Sequence, residues 1–236
     1  MQTQPIEPAE ARRPNPSIGT VVLSPNLTEQ VYERLVTAIC NADLAPGTRI
    51  TQEDLAAMLN VSRQPVLQAL RILRRDGLVI DAGKRGLMVA LLDARSISNI
   101  YQVRAALDAL AARQAALAGT RLDSTVVDEG RKAACASSVG AMIDADLKFH
   151  NLIYQASGNP LIAVSANHHW RHIRRAMGAV LRSSGVRQAV WGEHEAILNA
   201  INDGDADLAE RLARSHAESA GQNLAAELSL HARQGA

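Results

Sequence analysis

Two groups of residues have the types and spacing to do chemistry. The first is a set of histidines. All seven histidines of the 236-residue chain lie beyond residue 149. Asp146 and His150 stand four apart, so on a helix they share a face. His194 sits in Glu193-His194-Glu195-Ala-Ile-Leu, and His216 closes Arg-Leu-Ala-Arg-Ser-His. One carboxylate and three imidazoles converging inside a helical bundle would suit a borderline divalent ion such as Zn2+ or Ni2+. Taken singly, each histidine reads equally as a surface or hydrogen-bonded core residue, and spacing alone leaves both readings open. His168 and His172 are also four apart. No carboxylate accompanies them, so they read as a solvated or subunit-facing helix more readily than as a second metal site. Trp191 reads as core, with a wall of the effector pocket as the rival reading.

The second group is basic. Residues 61–86 carry Arg63, Arg71, Arg74, Arg75, Lys84 and Arg85 against Asp76 and Asp81, six charges against two, or +4. Residues 93–236 balance at 15 basic and 15 acidic, and the whole chain carries only +1. A basic element on a neutral body is the footprint of DNA binding. Arg63 follows Ser62, which reads as a helix N-cap, the end at which a groove-inserted helix meets base edges. An arginine there bridges guanine O6 and N7 with two hydrogen bonds. Gln64 and Pro65 complete that first turn. Arg71, Arg74 and Arg75 read either as phosphate contacts or as a solvated face. Lys84-Arg85-Gly86 forms a basic tip that reaches phosphates or the minor groove.

These residues need elements to hold them. Leu27, Val31, Leu35 and Ile39 are spaced for a helix over 27–42. Leu44-Ala-Pro-Gly-Thr48 is a turn. Thr51, with Asp54 three residues on, opens a short helix that Asn60 ends. Ser62 opens a third, running to Asp76-Gly77. Leu78–Ile80 and Leu87–Leu91 read as a hairpin. Three helices and a hairpin make a winged helix-turn-helix over 27–92. From Asp93, a helix cap, the spacing predicts helices to Gly119 and then over 122–136, 138–157, 160–184, 187–203 and 205–230. The chain therefore reads as mostly α, with a winged helix-turn-helix followed by an all-α antiparallel bundle over 93–232. Residues 1–26, with five prolines and the Arg12-Arg13 pair, read as a flexible tail.

Composition excludes several classes. Apolar residues make up 47% of the chain, enough for a packed core, and aromatics only 3%, which favours helices over sheets. No apolar run approaches the length of a membrane span, and the N-terminus lacks the apolar stretch of a secretory signal. Cys40 and Cys135 form no CxxC pair, which fits a reducing cytoplasm. No nucleophile elbow, Walker loop or GxGxxG is present.

The segment Val61-Ser-Arg-Gln-Pro-Val-Leu-Gln-Ala-Leu-Arg71, with Asp76-Gly-Leu-Val79, Arg85-Gly86 and the upstream Leu44-Ala-Pro-Gly-Thr48, closely resembles the DNA-binding domain of GntR-family bacterial regulators. Leu67 departs from it, standing where the family usually has an arginine that contacts DNA, so the operator cannot be copied from relatives. Arg104-Ala-Ala-Leu-Asp108, Asp146-Leu-Lys-Phe-His150, Gly158-Asn-Pro-Leu161, Glu193-His-Glu-Ala-Ile197 and the late His216 resemble the FCD ligand-binding domain of the FadR-like subgroup.

The resemblance implies DNA contacts from Ser62, Arg63, Gln64, Pro65, Arg71, Lys84, Arg85 and Gly86. It implies a divalent metal on Asp146, His150, His194 and His216, and an effector carboxylate near Arg104, whose rival reading is an ion pair with Asp108. The expected protein is a cytoplasmic homodimeric regulator, most plausibly a repressor, whose affinity for a double-stranded operator is controlled by a small organic acid at the metal. Two rivals stand beside it. One is a constitutive DNA-binding dimer with a merely structural bundle. The other is a metal-dependent hydrolase, for which Glu193 and Glu195 are the nearby acid–base candidates.

Overall fold

The computed structural model describes residues 26–83, 86–136, 138–180 and 189–234. The N-terminal unit is built from α1 (Leu27–Cys40), β1 (Arg49–Ile50), α2 (Gln52–Leu59), α3 (Arg63–Arg75), β2 (Val79–Asp81) and β3 (Leu87–Val89). Its helices bury one face each: Val31, Leu35 and Ile39 of α1 meet Val66, Leu70 and Leu73 of α3 in one apolar core. Thr51 accepts a hydrogen bond from the Asp54 N–H, the expected N-cap. Asn60 takes the left-handed conformation at φ 52°, which ends α2 and makes the tight turn into α3.

The antiparallel sheet has the order β1-β3-β2. β2 and β3 pair Val79 with Val89 and Asp81 with Leu87, so the expected hairpin forms with β2 one residue later and β3 two residues shorter than the sequence predicts. β1 was not anticipated: two residues are too few for periodicity to register, and Arg49 and Ile50 earn strand geometry only by pairing with Met88 and Leu87.

The second unit holds α4 (Ala94–Ala118), α5 (Thr125–Cys135), α6 (Val139–Ala156), α7 (Pro160–Val180), α8 (Val190–Asn202) and α9 (Ala206–Gln234). Asp93 caps α4 by accepting from the Arg95 and Ser96 N–H groups, and Gly119 ends it at φ 66°. The expected extension of α7 to residue 184 and the break at Ser183-Ser184-Gly185 lie outside the described residues. α4 and α9 run antiparallel along their length, Arg113 meeting Asp207 and Glu210 while Tyr101 meets Gly221. The seam is made of small residues, Ala105, Ala109, Ala112 and Ala116 against Ala209, Ala213 and Ala217, all buried. A chain this poor in aromatics fills its core by close helix approach. Among the described residues no helix is long and apolar enough to cross a membrane.

Candidate functional site

Three helices bring the four metal candidates together. α6 supplies Asp146 and His150, α8 His194 and α9 His216; all four are buried, and their ligand atoms lie within 4.8 Å of one another. His194 Nε2 stands 3.1 Å from His216 Nε2 and 3.5 Å from Asp146 Oδ1, and His150 Nε2 stands 3.9 Å from that oxygen. A tetrahedral ion with bonds of ~2.0–2.1 Å needs ligand atoms about 3.4 Å apart, so these spacings suit a shared cation. His150 Nε2 is buried with no hydrogen-bond partner, which an ion would supply. Burial drives the His150 and His194 imidazoles well below the usual histidine value, with the Arg104 charge adding to the effect, so both stay neutral. Burial also pushes the Asp146 carboxyl up.

The surrounding residues fix the rings. Glu193 Oε2 accepts from His216 Nδ1 at 2.7 Å, which holds the tautomer whose Nε2 lone pair faces the site. The sequence places Glu193 beside His194 but pointing away from it; its partner is a histidine on the next helix, a relation that helical periodicity does not carry. His150 Nδ1 lies 3.4 Å from Asp108 Oδ2, and Asp108 also accepts from Tyr154 OH at 2.5 Å. Arg104 divides itself. Its Nε donates to Asp108 at 3.1 Å, the ion-pair reading, while Nη2 is buried, unpartnered and 3.9 Å from Asp146 Oδ2. Its guanidinium lies 4.5 Å over the Trp170 ring. Trp191 is buried as expected and also packs edge-on against His194, with centroids 4.6 Å apart. Glu195 is tied to Arg131 at 2.7 Å on the outside, which removes it as an acid–base partner.

On the N-terminal unit, Ser62, Arg63, Gln64 and Arg71 are exposed along α3. Ser62 occupies the N-cap position, but its hydroxyl makes no capping bond and is free for another partner. Arg63 pairs loosely with Glu53 at 3.0 Å, both side chains more than half exposed. Pro65 is buried in the first turn of α3, where it shapes the helix start. Gly86 is exposed at the wing with φ 96°. Lys84 and Arg85 lie outside the described residues, as does the Arg12-Arg13 pair.

α7 joins the two units. Asp76, the C-cap of α3, accepts from Tyr32 OH at 2.6 Å and from Arg171 at 3.3 Å, and its carbonyl meets His172 Nε2 at 2.9 Å. His172 therefore packs against the N-terminal unit of its own chain, a neighbour that only the tertiary structure reveals. Burial alone would raise the Asp76 carboxyl, but the Tyr32 and Arg75 hydrogen bonds and the nearby arginine charges outweigh it and hold it below the ordinary carboxylate range. Tyr32→Phe should cost about 1–3 kcal/mol at pH 7, because a buried carboxylate loses a donor. A lowered folded pKa gives stability that is present above the unfolded value and lost as pH falls, so the gap should shrink below about pH 4. Urea denaturation of both proteins at pH 7 and pH 3.5 checks this; a gap equal at both pH values would contradict it.

Comparison with known proteins adds to this geometry. The family described as FCD domain matches residues 99–219, and the family described as bacterial regulatory proteins, gntR family, matches residues 27–89. A transcriptional regulator of the helix-turn-helix type from an unstable DNA locus of Streptomyces ambofaciens is 28% identical over 79% of this chain and 80% of its own length. The transcriptional repressor RspR of Escherichia coli is 23% identical over 84% of this chain and 89% of its own. The solved structure of E. coli McbR/YncC has the same fold, with TM-score 0.70 and 20% identity over 89% of this chain and all of that one.

Proposed function

The chain belongs to the FCD-domain family of GntR-type bacterial regulatory proteins, and from that premise we propose that its operator affinity is set by a small organic acid held at a divalent metal in the bundle. It is a transcriptional regulator and not an enzyme. The observation that carries the metal reading is the burial of Asp146, His150, His194 and His216 with their ligand atoms within 4.8 Å. Zn2+ or Ni2+ fits a donor set of three imidazoles and one carboxylate. The ion, when bound, supplies a Lewis-acid docking point for an effector carboxylate. Arg104 offers its unpartnered Nη2 as a second anchor, and a guanidinium favours a carboxylate over a neutral or cationic ligand. Repression is favoured by relatives named as repressors, and in this reading the acid relieves it.

The DNA reading rests on the exposed start of α3. Arg63 there reads base edges, Gln64 lies beside it, and Ser62 and Arg71 take phosphates, with Lys84, Arg85 and Gly86 serving the wing contact. A two-fold operator calls for a homodimer. Val103, Leu110 and Leu117, seven residues apart on α4, are 47%, 41% and 67% exposed and form an apolar stripe that a second copy would cover. The two units span 27–92 and 93–232, and the protein acts in the cytoplasm with its DNA.

The test begins with elemental analysis of protein purified without chelator, followed by a thermal-shift screen of small organic acids on the metal-loaded and chelator-treated forms. Bound divalent metal and an acid that stabilises only the loaded form are expected. Protein that carries no metal, and gains no stability from added Zn2+ or Ni2+, would overturn the reading.

A further inference from the structure

Where the DNA-binding unit meets the bundle there is a buried charge that neither the metal centre nor the DNA contacts use. Arg175 on α7 is only 5% exposed. Buried guanidinium groups are normally paired, since an isolated buried charge is costly. Among the described residues no carboxylate lies within ion-pair distance of Arg175; its Nη2 donates to the Ala90 carbonyl, and its Nε is buried with no partner. Burial pushes this guanidinium below the usual arginine value, with only the Cys40 thiol acting the other way.

Beside it lies a cleft of about 350 Å3, lined among others by Arg75, Leu92, Ser96, Ile100 and His172. Two carboxylates also face this cleft, and both are occupied. Asp76 is held by Tyr32, Arg75 and Arg171, and Asp93 by the Arg95 and Ser96 N–H groups and the Ser96 hydroxyl. The 25-residue α4 begins at the cleft, so the positive end of its dipole is there too. We propose that this cleft binds a small oxyanion, a carboxylate or phosphate group, with Arg175 as its charged anchor. The volume lies at the lower end of the range for small-molecule sites, which suits a small ligand. Such an anion would meet the C-cap of α3, the segment leaving the wing, the first turn of α4 and α7. It therefore fastens the DNA-binding unit to the bundle in one orientation, independently of the metal centre.

The experiment uses the full chain with inorganic phosphate and with succinate at constant ionic strength, because DNA affinity itself follows salt. Thermal midpoints are read for the wild type, Asp146→Asn, Arg175→Lys and Arg175→Gln. At least one anion should raise the midpoint in proportion to the logarithm of its concentration in the wild type. The same response should appear in Asp146→Asn, which separates this site from the metal centre. Arg175→Lys should bind about 10-fold more weakly because it keeps the charge but loses the fork, and Arg175→Gln should not respond. Phosphate alone, or succinate alone, identifies which anion the site takes. No response to either anion, or an equal response in Arg175→Gln, would overturn the proposal. Selenate soaked into wild-type crystals gives a readout free of any folding defect in the variants: an anomalous peak against the Arg175 guanidinium is expected, and peaks only elsewhere would overturn it.

Discussion

Gly130→Ala should destabilise the protein by about 1–3 kcal/mol, although alanine is the better helix former by about 1 kcal/mol. Gly130 lies buried on α5, and a Cβ there would stand 1.9–2.1 Å from three atoms of the Trp191 ring. The indole cannot retreat cheaply, because it is buried edge-on against Phe149 and His194. Steric overlap therefore outweighs propensity. Gly192→Ala, on exposed α8 surface with nothing within 4 Å of its Cβ, is the matched control and should gain stability by up to about 1 kcal/mol. Urea midpoints of the two variants should move in opposite directions. A Gly130→Ala midpoint at or above that of the wild type would contradict the close approach of α5 and α8.

The second large effect is expected from His194→Ala. His194 is fully buried and within 3.5 Å of both His216 and Asp146. Its loss should weaken divalent-metal binding by at least about 100-fold, more than the 10–100-fold typical of an outer-shell change. It should also abolish the change in operator affinity caused by the acid, a coupling of about 5–150-fold in typical cases. Operator binding without acid should stay largely intact, since α3 is far from the change in sequence and built on its own core. Asp146→Asn, which keeps side-chain size, guards against a folding artefact and should show the same loss. An operator titration in which His194→Ala protein responds to the acid like the wild type would break the link between the metal centre and DNA.

Legibility in the sequence follows the range of the interactions. Thr51, Asn60, Asp93 and Gly119 are readable because caps are local: each acts on backbone within a few residues of itself. Asp146 and His150 share a face by spacing alone, but only the family likeness links them to His194 and His216 on other helices. The Glu193–His216 and Tyr32–Asp76 bonds span 23 and 44 residues and leave no periodic trace. β1 is invisible for the same reason, its geometry being imposed by β3. Pro65 suits the first turn of α3 by its fixed φ, yet its burial depends on where the rest of the core lies.

The placement of the tryptophans has an optical consequence. The chain has two, Trp170 and Trp191. Trp170 lies 5.7 Å from the His150 ring and Trp191 4.6 Å from that of His194, centroid to centroid. All indole emission thus originates beside the candidate metal centre, with no background from the DNA-binding unit. A paramagnetic ion such as Ni2+ would quench it at contact range, whereas closed-shell Zn2+ would act only by shifting the rings. The unlabelled protein is therefore its own fluorescent probe of occupancy, and the contrast between the two ions distinguishes binding at this centre from binding elsewhere on the surface.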